Sequence, residues 1–466
     1  MHIRTVRDAT ASLFQSFVDH VLRRDDPAGS ARPTLTDPHV HAATVLAEHV
    51  AAGAAPPAEP PHAVKSLDGG HQAWSCLRLA SELFTAKLLG EHDRAADLYQ
   101  QLKDGTCDPR WAETIHQYIE YYGFSGHKRA VPYVPYTRMT DFVSQVMPLN
   151  ATILLIGDWG AGTSLARTLL EEAATHDPDL FVHLGDIYYS GTPQEAELNF
   201  LGICNEVFDR SGGHLPIYNL TGNHDMYAGG VGYFNLLAKL NPSPPFLAEQ
   251  AQPASFFCLR SLSGTFQLLA MDTSLHDADP FQVSADVTWL EPAEAAWHLD
   301  KINSFHEAAG KTILLSHHQL FTAFDPIGPA EQRAPELQAY NPNLLHTFRD
   351  VLEAGKVAAW FWGHEHNLGI YAPYGPLKYG RCIGHGAIPV EKDQEPNTPS
   401  PRISNPPQLV RRPDTGEPVT LPLAADGAMY QHGYVILRLN DLARTAQADY
   451  YLLGDPKTPF YTETIE

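Results

Sequence analysis

Five short motifs follow one another along this chain, each directly behind an apolar run. They are Gly157-Asp158-Trp159-Gly160, Gly185-Asp186-Ile187-Tyr188-Tyr189, Gly222-Asn223-His224-Asp225, Ser316-His317-His318 and Gly363-His364-Glu365-His366. The runs before them are Ala151–Ile156, Asp179–Leu184, Pro216–Leu220, Thr312–Leu315 and Ala358–Trp362. Short apolar runs that end in glycine read as buried strands. The loops that leave such strands are where sheet-based enzymes carry their chemistry. One such motif constrains little, but five in series demand a sheet whose strand ends gather carboxylates, an amide and imidazoles.

Helical patterns at Ser164–Ala174 and Glu294–Phe305 alternate with these strands, so the region from Ala151 onward reads as α/β. Phe266–Met271 is a further strand, ending in Asp272-Thr273-Ser274, where Asp272 reads as a turn-former. Gly433–Leu439 and Ala448–Leu453 read as paired strands that close a sheet, and the proline-rich 390–424 stretch as a long surface loop or lid. Residues 1–145 differ. Thr5–Leu22, Gln72–Lys87 and Asp93–Gln101 have helical apolar spacing, and Ala51–His62 breaks the pattern as a loop or linker. His39 and His41 lack further spaced ligands and read as solvated loop histidines. The expected division is a helical region at 1–145 and a catalytic domain at 146–466.

Composition narrows the partners. Thirty-two Lys and Arg against 54 Asp and Glu leave a net charge of −22. That field repels nucleic-acid backbones and anionic membranes, while a small phosphorylated substrate stays accessible through bound cations. No stretch approaches the ~18 apolar residues of a membrane span, and the first residues lead into no secretory apolar core. Five widely spaced cysteines (Cys76, Cys107, Cys204, Cys258, Cys382) without a Cys-x-x-Cys pair read as reduced thiols. The expected location is the cytoplasm.

The ligand chemistry can be read from the residues alone. Asp158 and Asp186 are carboxylates at two strand ends, and either could bridge two cations. Asn223 offers a neutral carbonyl oxygen, His317 or His318 an imidazole, and His364 and His366 two imidazoles two residues apart. Hard oxygen mixed with borderline nitrogen suits iron, manganese or zinc better than calcium or magnesium.

With Tyr189, these motifs resemble the metallophosphoesterase superfamily in its purple acid phosphatase variant, over about residues 150–455. Most members carry Asp-x-His in the first motif, and here Gly160 stands in the histidine's place. A tyrosine three residues after the second aspartate compensates in purple acid phosphatases, and Tyr189 occupies that position. The resemblance implies a two-sheet β-sandwich flanked by helices. It implies a first metal held by Asp158, Asp186, Tyr189 and His366, and a second by Asp186, Asn223, His317 and His364. Phenolate ligation implies Fe(III) beside Fe(II), Zn or Mn; a reducing cytosol would favour a di-manganese or di-ferrous pair.

The same resemblance implies a phosphomonoesterase in which a hydroxide held by the cations attacks phosphorus. His224, beside a ligand, is placed to bind the phosphoryl group or protonate the leaving oxygen, Asp225 to orient its ring, and His318 to touch substrate. His385 could approach the site, and Glu365 should point away from it. A phosphodiesterase acting on nucleotides or lipid headgroups is the alternative within the enzyme class. A catalytically silent metal-binding scaffold whose N-terminal region binds a partner is the alternative outside it; residues 1–145 could cover the pocket, mediate oligomerisation or bind a partner.

Overall fold

The computed structural model describes residues 9–22, 38–54, 70–105, 130–210, 212–277, 287–328, 332–425 and 427–466. Among these described residues, thirteen strands make two sheets. In chain order they are β1 (Val143–Met147), β2 (Thr152–Ile156), β3 (Leu180–His183), β4 (Ile217–Asn219), β5 (Phe257–Ser261), β6 (Phe266–Ala270), β7 (Lys311–Leu315), β8 (Val357–Trp362), β9 (Leu368–Ile370), β10 (Gly380–Ile383), β11 (Gly433–Asn440), β12 (Thr445–Leu452) and β13 (Tyr461–Ile465). One sheet has the order β13-β12-β11-β2-β3-β4, the other β1-β5-β6-β7-β8-β10-β9. Strands β2, β3 and β4 run parallel, as do β6, β7, β8 and β10.

The period-two alternation of side chains explains the layering. In β2, Ile153 and Leu155 enter a core shared with Leu259, Leu268, Ile313 and Phe361 of the other sheet. Leu154 and Ile156 point the opposite way, into a cluster with Leu169, Leu170, Phe200 and Leu236. On the far side of the second sheet, Leu269, Leu314, Trp360 and Trp362 pack with Trp297, Phe348 and Leu352. Both sheets are therefore buried on two faces, which is why their strands read as continuous apolar runs rather than alternating ones. The result is a two-sheet α/β sandwich covered by helices.

The covering helices start where their caps dictate. The Thr163 side chain accepts the Ala166 amide at the head of Ser164–Ala174, which buries Ala166, Leu169, Leu170 and Ala173 at helical spacing. Asn341 caps Pro342–Glu353 through the amides of Asn343 and Leu344, with Pro342 in the first turn.

Several expectations shift. Strand β1 pairs in parallel with β5. His39 and His41 lie in the helix Pro38–Ala51 rather than a loop, because a proline with fixed φ starts a helix readily. Helices at Ala9–Leu22, Gly70–Leu88 and His92–Gly105 agree with the helical reading; residues 5–8, 55–62 and Cys107 lie outside the described residues. Residues 390–424 hold one short turn of helix, Lys392–Gln394, and isolated bridges such as Arg411 with Pro418. Cys204, Cys258 and Cys382 are buried. Among the described residues, no helix is long and apolar enough to cross a membrane.

Candidate metal centre

All five motifs leave the carboxyl ends of parallel strands: β2, β3 and β4 in one sheet, β7 and β8 in the other. The backbone there is bent into conformations that side chains other than glycine rarely adopt. Asp158 (φ 54°), Asp186 (φ 75°), His364 (φ 70°) and His366 (φ 51°) are all left-handed. Such residues cost about 1–3 kcal/mol each and persist where the surroundings enforce them, commonly at functional sites. Glycine makes room for the crowding. A Cβ on Gly222 would stand 1.9 Å from Asp186 Oδ1, and Gly185 itself has φ 100°.

Two donor groups result. Asp158, Asp186 and His366 bring one ligand atom each to within 4.8 Å of the others, and so do His317, His318 and His364. Asn223 completes the second group, with Oδ1 3.0 Å from both His317 Nε2 and His364 Nδ1. Those two nitrogens are 3.2 Å apart. Asp186 joins the halves, its Oδ1 lying 3.5 Å from His317 Nε2.

Proton bookkeeping shows what this arrangement wants. His317 Nδ1 lies 2.9 Å from the Leu184 carbonyl, which can only accept, so Nδ1 carries the hydrogen. Burial lowers the His317 pKa to about 4, leaving the ring neutral near pH 7 and Nε2 a bare acceptor. Asn223 Nδ2 donates to Tyr227 Oη at 2.6 Å, which turns Oδ1 toward that nitrogen. Two lone-pair donors thus face each other at 3.0 Å. A cation between them resolves the conflict, so the donor set fits a metal. Asp186 fits too. Burial alone would raise its pKa, but His317, His224, His364 and His366 outweigh it and hold the carboxyl well below the usual range.

Tyr188 and Tyr189 make different contacts. The phenol beside the first group is that of Tyr188: its hydroxyl donates to Asp158 Oδ1 at 3.1 Å and lies 2.9 Å from His366 Nε2. Tyr189 contributes its backbone instead. Its amide donates to Glu195 at 2.6 Å, and its carbonyl meets His224 Nδ1 at 2.6 Å. Glu195 also accepts the amides of Ser190 and Thr192, and Asn199 Nδ2 donates to the Tyr188 carbonyl. This bracing fixes the backbone of the turn that carries both tyrosines. Thr192 and Glu195 form a capping box, a signal legible in Thr-x-x-Glu. Burial, then the charges of Asp158 and Asp186, push the Tyr188 pKa well up without a cation.

The residues expected in catalysis fall in three places. His224 is buried between the rings of Tyr188 and Tyr227, at 4.7 and 4.8 Å. With Nδ1 committed to the Tyr189 carbonyl, Nε2 is its proton-exchanging nitrogen. Asp225 accepts the amides of Gly222 (2.7 Å) and Asp186 (3.0 Å), so it braces two ligand loops, and the His224 ring is oriented by the Tyr189 carbonyl. His318 is held at both nitrogens, by Thr273 Oγ1 at 3.0 Å and Asp277 Oδ2 at 2.8 Å.

Three further residues stand behind the cluster. His183, between the Trp159 amide and Asn219, supports the floor of the site. Asp272 accepts the amides of Ser274 and Leu275, as a turn-former does. Glu365 accepts from Thr322 Oγ1. His385 is buried beside His432, and no described contact carries it to the cluster.

Residues 151–368 match the family model described as calcineurin-like phosphoesterase. Over that span, a little under half of the sequence, the match supports a metal-dependent phosphoesterase. No curated protein matches it. Among solved structures, it is similar to the GAP50 anchor of the Plasmodium inner membrane complex, with 11% identity over 68% of this chain and 89% of that one, at a TM-score of 0.41. Purple acid phosphatase PPD1 of yellow lupin (Lupinus luteus) has 16% identity over 68% of this chain and 53% of its own, at 0.41. A dimetal phosphatase from Danio rerio has 12% identity over 68% and 99%, at 0.40. Likenesses this remote add nothing to the family match.

Proposed function

We propose that the chain is a dinuclear phosphomonoesterase whose two cations share Asp186. The observation that carries this reading is the convergence of two donor groups on one carboxylate, with bare acceptors facing each other in the second. Asp158, Asp186 and His366, with the Tyr188 hydroxyl, would hold one cation. Asp186, Asn223, His317 and His364 would hold the other. Iron, manganese and zinc suit these ligands. When bound, the pair supplies Lewis acidity toward the phosphoryl oxygens and acidifies the attacking water.

The chain's own residues do the rest. Asp158 and Asp186 neutralise the charge of the cations in a buried setting. His224 delivers a proton from Nε2 to the leaving alcohol, its ring held by the Tyr189 carbonyl and two tyrosines. His318, clamped by Thr273 and Asp277, stacks near His364 at 4.5 Å and keeps that ligand's ring in place. The cavity that reaches His366 gives a berth for an organic substituent of the ester.

The test is turnover of para-nitrophenyl phosphate against its bis-ester by metal-loaded protein. A higher kcat/KM for the monoester is the expected result, and a preference for the bis-ester would replace this reading with the phosphodiesterase one. Residues 1–145 are assigned to oligomer or partner contacts outside the chemistry, which a truncation beginning near residue 130 tests by its effect on assembly.

A further inference from the structure

A cavity of about 580 Å³ opens beside the candidate metal centre, and His366 stands in its wall. Its composition is unusual for an enzyme that acts on phosphorylated molecules. Three carboxylates line it, Asp325, Glu365 and Glu395, and none of the described lining residues is a lysine or arginine. Phe324 supplies an aromatic side chain, and the segment from Ile388 to Pro401 supplies the opposite wall with several prolines.

That wall is fixed to the site. Asn367, next to His366, donates from Nδ2 to the Pro396 carbonyl at 2.6 Å. The Ser400 amide donates to the Ala323 carbonyl at 2.8 Å, beside Phe324. The cavity is thus a built compartment that shares a residue with the metal cluster. Glu395 is set into it by a left-handed backbone, φ 45°, a conformation glutamate rarely adopts.

We propose that this compartment receives the leaving group of the substrate, and that the leaving group is an amino alcohol carrying a positive charge. The inference rests on the phosphomonoesterase reading above and names its substrate class. Polyanionic leaving groups, such as a nucleoside diphosphate or a second phosphate, meet three carboxylates and no described cation to balance them. An ammonium group instead meets opposite charge from Asp325 and Glu395 beside the aromatic side chain of Phe324, and both kinds of group attract a cation. The chain's net charge of −22 acts in the same direction at longer range. In the reaction, the bond between phosphorus and the alcohol oxygen breaks and one between phosphorus and water oxygen forms. The alcohol oxygen takes up a proton and leaves as the neutral hydroxyl of the amino alcohol, with inorganic phosphate as the other product.

The experiment compares phosphocholine with neohexyl phosphate, its uncharged isostere, on metal-loaded protein, with para-nitrophenyl phosphate as the reference ester. The expected kcat/KM ratio favours phosphocholine by about five- to tenfold, the worth of one or two partly exposed ion pairs. In the double variant Asp325→Asn, Glu395→Gln the ratio falls toward one, whatever happens to the absolute rates. As a measurement independent of any variant, choline should inhibit wild-type hydrolysis of para-nitrophenyl phosphate competitively and more tightly than neohexyl alcohol. Wild-type protein that cleaves para-nitrophenyl phosphate but shows no preference for the cationic ester or alcohol overturns this inference alone. Two-metal protein that cleaves none of the three esters overturns the phosphomonoesterase reading and this inference with it.

Discussion

On one side of Asp186 the candidate centre is built from oxygen: Asp158 and the Tyr188 hydroxyl, with His366 as its nitrogen donor. On the other it is built from two imidazoles, His317 and His364, and the neutral oxygen of Asn223. The first half is anionic and hard, and it suits a more highly charged cation. The second is neutral apart from the shared carboxylate and suits a divalent one. The halves also differ in how they are held. Hydrogen bonds to the Leu184 carbonyl and to Tyr227 fix the orientation of His317 and Asn223, whereas the phenol of the first half depends on the bracing of the 188–195 turn by Glu195 and Asn199. On the proposed reading, one carboxylate would couple two sites of unlike chemistry and unlike support.

The sharpest way to break this comparison is to remove what the halves share. Asp186→Ala should abolish hydrolysis, because neither half keeps a complete ligand set. Asp158→Ala should empty the oxygen-rich half and leave the imidazole half able to retain an ion, as metal analysis of each purified variant would show.

His224→Ala asks whether the acid lies outside both halves. Turnover should fall by about 10²–10⁴, the usual worth of a positioned acid or base, with metal content kept. Loss of metal in step with activity would make His224 a structural support of Asp186, whose Oδ1 accepts its backbone amide.

Tyr188→Phe and Tyr189→Phe separate the neighbouring phenols. In iron-loaded, oxidised protein a phenolate ligand gives a visible absorption band. Tyr188→Phe should bleach it, and Tyr189→Phe should leave it. The reverse pattern would restore Tyr189 to the first half, and a colourless manganese or zinc protein would remove ferric iron from the account while leaving the hydrolase standing.

The smallest expected effect concerns the scaffold. Burial lowers the pKa of His183 and of His432 to about 4, and that of His298 and of His385 to about 3. As pH falls below about 6.5, the unfolded chain takes up protons that the folded chain refuses, so stability declines until the folded pKa values are reached. Urea midpoints measured from pH 7 down to about pH 4 should fall. His298→Gln should flatten that decline, because Gln does not titrate.

Much of the fold was legible because it lies in continuous apolar runs with glycine behind them. Thr152–Ile156, Leu180–His183 and Val357–Trp362 fall within a residue or two of their sequence limits. Phe257–Ser261 was not legible, since a cysteine, an arginine and a serine interrupt its pattern, and its identity as a strand comes from pairing with β1 and β6. The metal-binding motifs could be read because their spacing is local. The contact of the Tyr188 hydroxyl with Asp158 could not, because it depends on how the turn braced by Glu195 is folded. Neither could the role of His318, whose partners Thr273 and Asp277 arrive from another strand end. The acidic cavity is assembled from residues 319–325, 365–367 and 388–401, and no window along the chain contains it.

The central claim is that Asp186 joins two metal sites, and counting ions tests it most directly. Equilibrium dialysis of the purified chain against manganese, followed by metal analysis, should give two ions per wild-type chain, fewer than one in Asp186→Ala and close to one in Asp158→Ala. Two ions retained by Asp186→Ala, or a wild-type chain that never binds more than one, would contradict the account.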